Sequence, residues 1–195
     1  MIAIAWDVDD VLNDLMRSWL GYYQLRNANS KVKYEDITEN PPHKILKITQ
    51  EEYLRSLLEF RLSEDFQNMS PNPEVLNWFQ KHGNNYRHIA VTATPLGASS
   101  ASTAWVVRHF GNWIRTFHFT PSQYSEEANY KRLGGKADFL KWVDKFSILV
   151  DDSKQNVEET TRMGLTGLLF PRPWNKQEIS LNVLLDKLTK QGAIL

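Results

Sequence analysis

Two hydrophobic patterns alternate along this chain: short unbroken apolar runs, and stretches in which apolar residues recur every three or four positions. The short runs predict buried strands, and the spaced stretches predict helices with one apolar face. The predicted strands cover residues 2–6, 87–93, 115–119, 147–150 and 165–170. A helix is predicted over 99–110, with Ala101, Ala104 and Trp105 facing inward. This alternation predicts an α/β fold, a three-layer Rossmann-like parallel sheet with helices on both faces.

The stretch between the first two predicted strands begins with a long region that has no strand pattern. Helical spacing, together with a capping box formed by Thr49 and Glu52, indicates helices in this region instead. The sequence Pro-Asn-Pro at 71–73 is typical of the start of a further helix. The expected division is a core formed by residues 1–12 and 71–195, interrupted by a small helical cap insert at residues 13–70.

Composition narrows the class of protein. Lys plus Arg and Asp plus Glu number 23 each in the 195 residues, so no net charge favours a nucleic-acid polymer or an anionic membrane as partner. The chain has no cysteine, which excludes thiolate chemistry and disulfides. No apolar run approaches the roughly 20 residues of a membrane span, and the amino terminus lacks the basic segment of a signal peptide. We therefore expect a cytoplasmic protein.

Polar side chains follow three of the predicted strands directly. They are Asp7 and Asp9 after the first strand, Thr92 in the second strand's final turn, and Asp151 and Asp152 after the fourth. Lys136 opens a helix after Gly134-Gly135 and can point to the same edge. In open parallel sheets, this carboxyl edge is where ligands bind. Carboxylates so close together repel one another unless a cation joins them, and a hard cation such as Mg²⁺ is the usual solution.

This combination of side chains is suited to phosphoryl transfer. Carboxylates hold Mg²⁺, the metal and a lysine neutralise phosphate oxygens, and one Asp can attack phosphorus to form an aspartyl-phosphate. Each group also has an ordinary alternative: Thr92 as a turn residue, Lys136 as a surface lysine, and Asp151-Asp152 as a helix cap. Their joint placement at three strand ends favours a shared site.

The order of these motifs resembles that of the haloacid dehalogenase superfamily. Segment 7–12, Asp-Val-Asp-Asp-Val-Leu, resembles its motif I, Val91-Thr92-Ala93 its motif II, Lys136 its motif III, and Leu149-Val150-Asp151-Asp152 its motif IV. A two-component receiver domain uses similar residues in another order, which does not fit this chain.

The resemblance implies a set of residue roles and a magnesium cofactor. It implies that Asp7 is the nucleophile, that Asp9 is the general acid and base, and that Thr92 and Lys136 bind the substrate phosphate. It also implies that Mg²⁺ is held by Asp7, the Asp9 main-chain carbonyl and Asp151, with Asp152 supporting that shell. The helical insert resembles the small C1 cap of the superfamily and would close over the site.

Overall length, the insert and the Thr-x-x-Pro turn at Thr92 are similar to the 5'(3')-deoxyribonucleotidase branch. Three positions depart from the pattern. Asp10 stands where motif I often has Gly, and Ala93 stands where this branch tends to have Ser. Lys131 competes with Lys136 for the motif III role, and Lys141 is a weaker competitor because it falls in the middle of a predicted helix.

The expected partner is a small phosphorylated metabolite, and its identity stays open between a nucleotide, a sugar phosphate and another phosphomonoester. A non-catalytic binding module with the same fold is the remaining alternative. The presence of both Asp7 and Asp9 argues against it, because a pure binder needs no acid/base group. At the start of the insert, Asn13 and Arg17 share a helical face and lie nearest the catalytic loop in sequence. We expect one of them to point toward the leaving group, with two solvated residues as the alternative.

Overall fold

The computed structural model describes residues 2–122 and 134–194, and this part of the chain contains a sheet of five parallel strands. The strands are β1 (Ala3–Trp6), β2 (Arg87–Thr92), β3 (Ile114–Phe119), β4 (Ile148–Asp151) and β5 (Thr166–Leu169). Their order in the sheet is β3-β2-β1-β4-β5. Strands β2 and β3 lie on one side of β1, and β4 and β5 lie on the other side. The loops after β1, β2 and β4 therefore meet where the strand order reverses, which is where such sheets bind ligands.

The described helices are α1 (Leu15–Arg26), α2 (His43–Leu46), α3 (Gln50–Arg61), α4 (Glu64–Gln67), α5 (Pro73–His82), α6 (Ser99–Phe110), α7 (Lys136–Val143), α8 (Lys154–Arg162) and α9 (Leu181–Ile194). Of these, α5 to α9 pack on the two faces of the sheet, whereas α1 to α4 lie in the segment between β1 and α5. Alternation along β1 separates the two faces: Ile4 and Trp6 join a large hydrophobic cluster with α5, α6 and α9, whereas Ala5 joins a smaller one with α7. The predicted three-layer α/β fold is confirmed.

The predicted helix starts are also observed. Asn72 caps α5 by accepting a hydrogen bond from the Val75 N–H at 3.1 Å, with Pro73 at the first helical position. At the start of α3, the Thr49 N–H donates to Glu52 Oε2 at 2.8 Å and the Glu52 N–H donates to Thr49 Oγ1 at 3.1 Å. The capping box read from the sequence is therefore formed.

Two local predictions were wrong. Ala104 of α6 is exposed, and Ser102 and Val106 are buried beside Trp105 instead, because the helix packs with a different part of its surface against the sheet. The first helix begins at Leu15, so Asn13, which was expected to share a helical face with Arg17, lies before the helix. The residues before it form a separate wide turn, closed by a 3.3 Å hydrogen bond from the Asn13 N–H to the Val8 carbonyl.

The insert leaves and rejoins the core at adjacent points. Asn13 and Pro71 form an isolated antiparallel bridge, and the Asn72 N–H donates to the Leu12 carbonyl at 2.9 Å. Residues 13–70 contain α1 to α4, and their aromatic side chains belong to the same large hydrophobic cluster as the sheet. The division into core and insert is therefore compatible with this geometry, and independent movement of the insert stays a prediction. None of the described helices is long and apolar enough to cross a membrane.

Candidate active site

The loop after β1 places Asp7 at the centre of the strand ends. The Asp7 N–H donates to the Val150 carbonyl of β4 at 2.9 Å, and Asp7 Oδ1 accepts from the Val8 N–H at 2.7 Å. Asp10, where the motif often has Gly, has a φ of 61°, a left-handed conformation that Asp tolerates better than most residues. Asp10 Oδ1 accepts from the Met16 N–H at 2.9 Å, and Asn13 Oδ1 accepts from the Asp10 N–H at 2.9 Å. The loop is thus held by its own polar side chains.

Lys136 joins two of the predicted acids. Its Nζ lies 2.6 Å from Asp7 Oδ2 and 2.8 Å from Asp151 Oδ2, and all three residues are buried. Burial by itself lowers the pKa of Lys136, but the carboxylates of Asp151 and Asp7 outweigh it and raise that pKa above its ordinary value. The lysine is therefore a fixed positive charge within this cluster.

Three carboxylates in this cluster could hold a metal ion. Ligand atoms of Asp7, Asp151 and Asp152 lie within 4.8 Å of one another, and all three residues are buried. Burial raises the pKa of Asp7 well above its usual range, and burial together with the Asp151 charge raises the pKa of Asp152 to about 8. With all three ionised, the charge of Lys136 leaves two negative charges uncompensated. A divalent cation with a preference for oxygen ligands fits this donor set.

Asp9 has partners of its own outside this carboxylate cluster. Asp9 Oδ2 accepts from Arg61 Nη2 at 2.8 Å and from Thr94 Oγ1 at 2.9 Å. Its side chain is absent from the acidic group that could bind a metal among the described residues. A contribution of Asp9 to metal binding would therefore come from its main-chain carbonyl, as the motif implies, and its carboxylate instead contacts Arg61 and Thr94.

Thr92 ends β2 at the same edge. It is buried, and its Oγ1 accepts from the Thr94 N–H at 3.2 Å and lies 3.0 Å from Thr94 Oγ1. The two hydroxyls and Asp9 therefore form one chain of hydrogen bonds. Thr94 was not selected from the sequence, although its place in the same short polar turn is a signal that could have identified it.

A cavity of about 1220 Å³ opens above these residues. Asp7, Asp9, Thr92, Lys136 and Asp152 line it, and Asp151 is fully buried behind Lys136. The structure thus brings all six predicted site residues together. The insert forms the opposite wall, mainly with side chains of α3.

The prediction for Asn13 and Arg17 was wrong, because neither residue lines this cavity. Asn13 is fully buried and its side chain accepts backbone hydrogen bonds within the first loop. The Arg17 guanidinium stacks 3.9 Å above the Tyr34 ring and lies 3.4 Å from Glu35 on the exposed side of α1. Arg61, 52 positions after Asp9, is a cavity-lining insert residue that contacts the predicted acid at 2.8 Å, and no sequence pattern marked it.

The two competing lysines have different outcomes. Lys141 is exposed in the middle of α7, which leaves Lys136 as the site lysine of that helix. Lys131 lies outside the described residues. Two further cavity-lining residues hydrogen-bond to the acids: Trp174 Nε1 donates to Asp152 Oδ2 at 2.8 Å, and Asn156 Nδ2 donates to Asp151 Oδ1 at 3.1 Å.

No protein-family model and no curated protein sequence matches this chain. Solved structures do. A haloacid dehalogenase-like protein from Agrobacterium tumefaciens is 13% identical with a TM-score of 0.63, over 98% of each chain. A haloacid dehalogenase-like hydrolase from Streptococcus pneumoniae is 11% identical with a TM-score of 0.62, over 98% of each chain. A hydrolase of this family from Deinococcus radiodurans, with bound phosphate and sodium, is 14% identical with a TM-score of 0.56, over 99% of this chain and 96% of the other.

These similarities identify the architecture. The five-stranded parallel sheet with flanking helices is the haloacid dehalogenase-like fold. At identities this low, the similarity is one of fold, and an activity has to be argued from the site itself.

Proposed function

We propose that this protein is a Mg²⁺-dependent phosphomonoester hydrolase that works through an aspartyl-phosphate intermediate. The observation that carries the proposal is the convergence of Asp7, Lys136 and Asp151, with Asp9 and Thr92 lining the same cavity. A nucleophile, a fixed cation and a separate acid/base carboxyl within one site are the groups that this reaction requires.

Each of these side chains has a separate role in the proposed reaction. Asp7 attacks phosphorus in line, so that an Asp7 O–P bond forms as the ester P–O bond breaks. Asp9 protonates the leaving alkoxide and then takes a proton from the water that cleaves the aspartyl-phosphate. Thr92 and Lys136 bind the phosphate oxygens while negative charge shifts across them. Asp9 serves both steps because acid and base roles reverse between the two halves.

The side chains of Asp7 and Asp151 and the main-chain carbonyl of Asp9 would hold Mg²⁺, with Asp152 supporting them. When bound, the cation neutralises phosphate charge and fixes the orientation of the transferring group. The donor set supports this assignment, since it consists of oxygens only and carries excess negative charge. Trp174 and Asn156 then keep the carboxylates of Asp152 and Asp151 oriented.

Within this class, we favour a nucleotidase similar to the 5'(3')-deoxyribonucleotidase branch, and a cytoplasmic enzyme acting on a small phosphorylated metabolite. The Thr-x-x-Pro turn and the helical insert support this choice. A sugar phosphatase is the second candidate. CbbY from Rhodobacter sphaeroides, whose solved structure is in complex with xylulose-1,5-bisphosphate, is 16% identical with a TM-score of 0.50, over 92% of this chain and 90% of that protein.

The decisive experiment is the Asp7→Asn variant, assayed with a generic aryl phosphate and Mg²⁺. Turnover should be abolished because an amide cannot form the aspartyl-phosphate, whereas the fold should survive because Lys136 keeps Asp151 as a partner. Asp36→Asn, an exposed substitution in the insert, is the matched control. Near-normal hydrolysis by Asp7→Asn would reject the mechanism. A panel of nucleotides and sugar phosphates then separates the two candidate substrate classes.

A further inference from the structure

Arg61 ends α3 and reaches from the insert into the candidate active site. Its Nη2 donates to Asp9 Oδ2 at 2.8 Å, and the side chains of Arg61 and Asp9 are only 11% and 15% exposed. Arg61 Nε is buried and has no hydrogen-bond partner among the residues that the structure describes. A guanidinium that lines a cavity and keeps an unused N–H has the capacity to bind a further acceptor.

This ion pair places Arg61 beside the carboxyl group proposed to protonate the leaving group. Asp9 Oδ2 accepts hydrogen bonds from Arg61 and from Thr94, whereas Asp9 Oδ1 has a single long contact, 3.5 Å from Asn13 Nδ2. A leaving-group oxygen can therefore contact Oδ1 while Arg61 stays on Oδ2. The guanidinium then lies next to the leaving group.

The position of Arg61 has a consequence for the substrate. Its buried Nε–H stays without an acceptor unless the substrate supplies one, and an anionic acceptor makes the stronger hydrogen bond. The nearest cavity-lining residues of α3, Leu57 and Leu58, are apolar, and Arg55 further along the helix is itself a cation, so neither supplies this acceptor. Lys136 is paired with Asp7 and Asp151 and is assigned to the transferred phosphate, so it does not bind the second anion.

We propose that Arg61 is a specificity residue that binds a second anionic group, a carboxylate or a phosphate, carried by the leaving group of the substrate. The inference rests on the proposed phosphomonoesterase function and narrows its substrate class. Successive contacts of about 2.8 Å would join the ester oxygen to Asp9, Asp9 to Arg61, and Arg61 to the second anion. With about 2 Å more across the carboxyl group and across the guanidinium, the second anion lies within about 13 Å of the ester oxygen. Among nucleotides, this class is a bisphosphate rather than a nucleoside monophosphate.

Matched substrate pairs test this inference. In one pair, 3-phosphoglycerate carries a carboxylate that glycerol 3-phosphate lacks. In the other, adenosine 3',5'-bisphosphate carries a phosphate that adenosine 5'-monophosphate lacks. In one of the two pairs, we expect wild-type kcat/KM to be about tenfold higher or more for the member that carries the second anionic group. The pair that shows this difference identifies the second anion as a carboxylate or as a phosphate. Arg61→Ala should reduce this ratio to within about twofold of one, and Arg61→Lys should give an intermediate ratio because it keeps the charge without the planar fork.

The controls separate specificity from positioning and from folding. Arg17→Ala removes an insert arginine outside the cavity and should leave the ratio unchanged. Arg61→Gln is the alternative variant if Arg61→Ala does not fold. In the Asp7→Asn background, calorimetry should show tighter binding of the substrate with the second anionic group, and adding Arg61→Gln should remove that preference. This measurement needs no turnover.

The outcomes distinguish this inference from the proposed function. No Mg²⁺-dependent hydrolysis of p-nitrophenyl phosphate by the wild-type protein would reject both. Aryl phosphate hydrolysis with a wild-type ratio near one, or with a ratio retained in Arg61→Ala, would overturn the inference alone. An equal loss on every substrate in Arg61→Ala, including the aryl phosphate, would also overturn it, because Arg61 would then merely position Asp9.

Discussion

At the residue scale, the two acids of the first loop differ in their partners, and the proposed mechanism gives them different tasks. Asp7 contacts Lys136, whereas Asp9 accepts hydrogen bonds from Arg61 and Thr94. Asp9→Asn is expected to lower kcat by roughly 10²–10⁴-fold, the contribution of general acid–base catalysis. Steady-state kinetics measure this loss.

A leaving-group series checks that Asp9 acts as an acid. Substrates with good leaving groups need little protonation, so their first step should be slowed less in Asp9→Asn than that of poor leaving groups. The burst of leaving group released in a single turnover isolates this step. The control is Asp7→Asn, which should show no burst with good or with poor leaving groups. Equal slowing of good and poor leaving groups in the Asp9→Asn burst would contradict the assignment.

His88 in β2 is a buried neutral base far from this chemistry. Trp6 Nε1 donates to its Nδ1 at 3.0 Å, so its Nε2 carries the hydrogen and donates to the Gly83 carbonyl at 2.8 Å. Burial lowers the pKa of His88 from 6.5 to about 4. Below pH 6.5 the unfolded chain binds a proton at His88 that the folded protein does not bind. The contribution of neutral His88 to the free energy of unfolding is therefore fully present above pH 6.5 and is lost as pH falls toward 4.

The variant His88→Gln isolates this effect, since its amide can accept and donate at similar positions without titrating. Between pH 6.5 and 4, the free energy of unfolding of the wild type should fall relative to the variant by on the order of 3 kcal/mol. Urea unfolding of both proteins measures the difference. Asp10 and Asp152, whose raised pKa values act in the opposite direction, contribute equally to both proteins. A difference that is constant across this pH range would contradict the prediction.

At the element scale, the ends of β1 and β4 jointly build the carboxylate cluster, so metal dependence tests their convergence. Activity should require Mg²⁺ and vanish with a chelator, and Ca²⁺ should inhibit because its larger, looser shell misplaces the nucleophile. Asp151→Asn should raise the Mg²⁺ concentration for half-maximal activity by about tenfold or more.

Asp144→Asn provides the matched control for that titration. Asp144 is an exposed acid at the end of α7 and does not line the cavity. Its substitution should leave the Mg²⁺ requirement unchanged. Full activity of chelator-treated wild-type protein would reject the metal site.

At the scale of the whole molecule, Arg172 ties the carboxyl-terminal part of the core to the start of the insert. Arg172 Nε donates to the Asp10 carbonyl at 2.6 Å, and Nη2 donates to the Asn13 carbonyl at 3.1 Å. Arg172 Nη1 lies 2.6 Å from Asp14 Oδ1 and donates to the Tyr34 hydroxyl at 3.3 Å. One guanidinium thus holds the first connection between core and insert.

Removal of this guanidinium should be costly. Arg172→Met is expected to lower the free energy of unfolding by about 3–5 kcal/mol, since it leaves a carboxylate and two carbonyls without their donor. Arg172→Lys should restore only part of the loss, because a single ammonium cannot reproduce the planar fork. Urea unfolding measures both effects. Arg17→Met, which removes an exposed pair, is the control and should cost about 0–1 kcal/mol. A loss for Arg172→Met no larger than for this control would refute the role of Arg172.

Features that depend on neighbours along the chain could be predicted from the sequence. The unbroken apolar run at residues 2–6 predicted β1 as a buried strand, the capping box predicted the start of α3, and acids directly after strand ends had to lie at the carboxyl edge of a parallel sheet. These features are local, because each is fixed by backbone geometry over a few residues, and the parallel arrangement then collects them at one site.

The contacts between side chains that are distant in the sequence could be seen only in the folded protein. Arg61 reaches Asp9, and Arg172 reaches Asp14, across separations for which no periodicity exists. The exposure of Ala104 likewise depends on which surface of α6 packs against the sheet rather than on its apolar character. Helical spacing also placed Arg17 on a plausible face, but stacking on Tyr34 holds it outside the cavity. Such contacts follow from the packing of whole elements, and the sequence of each element leaves that packing undetermined.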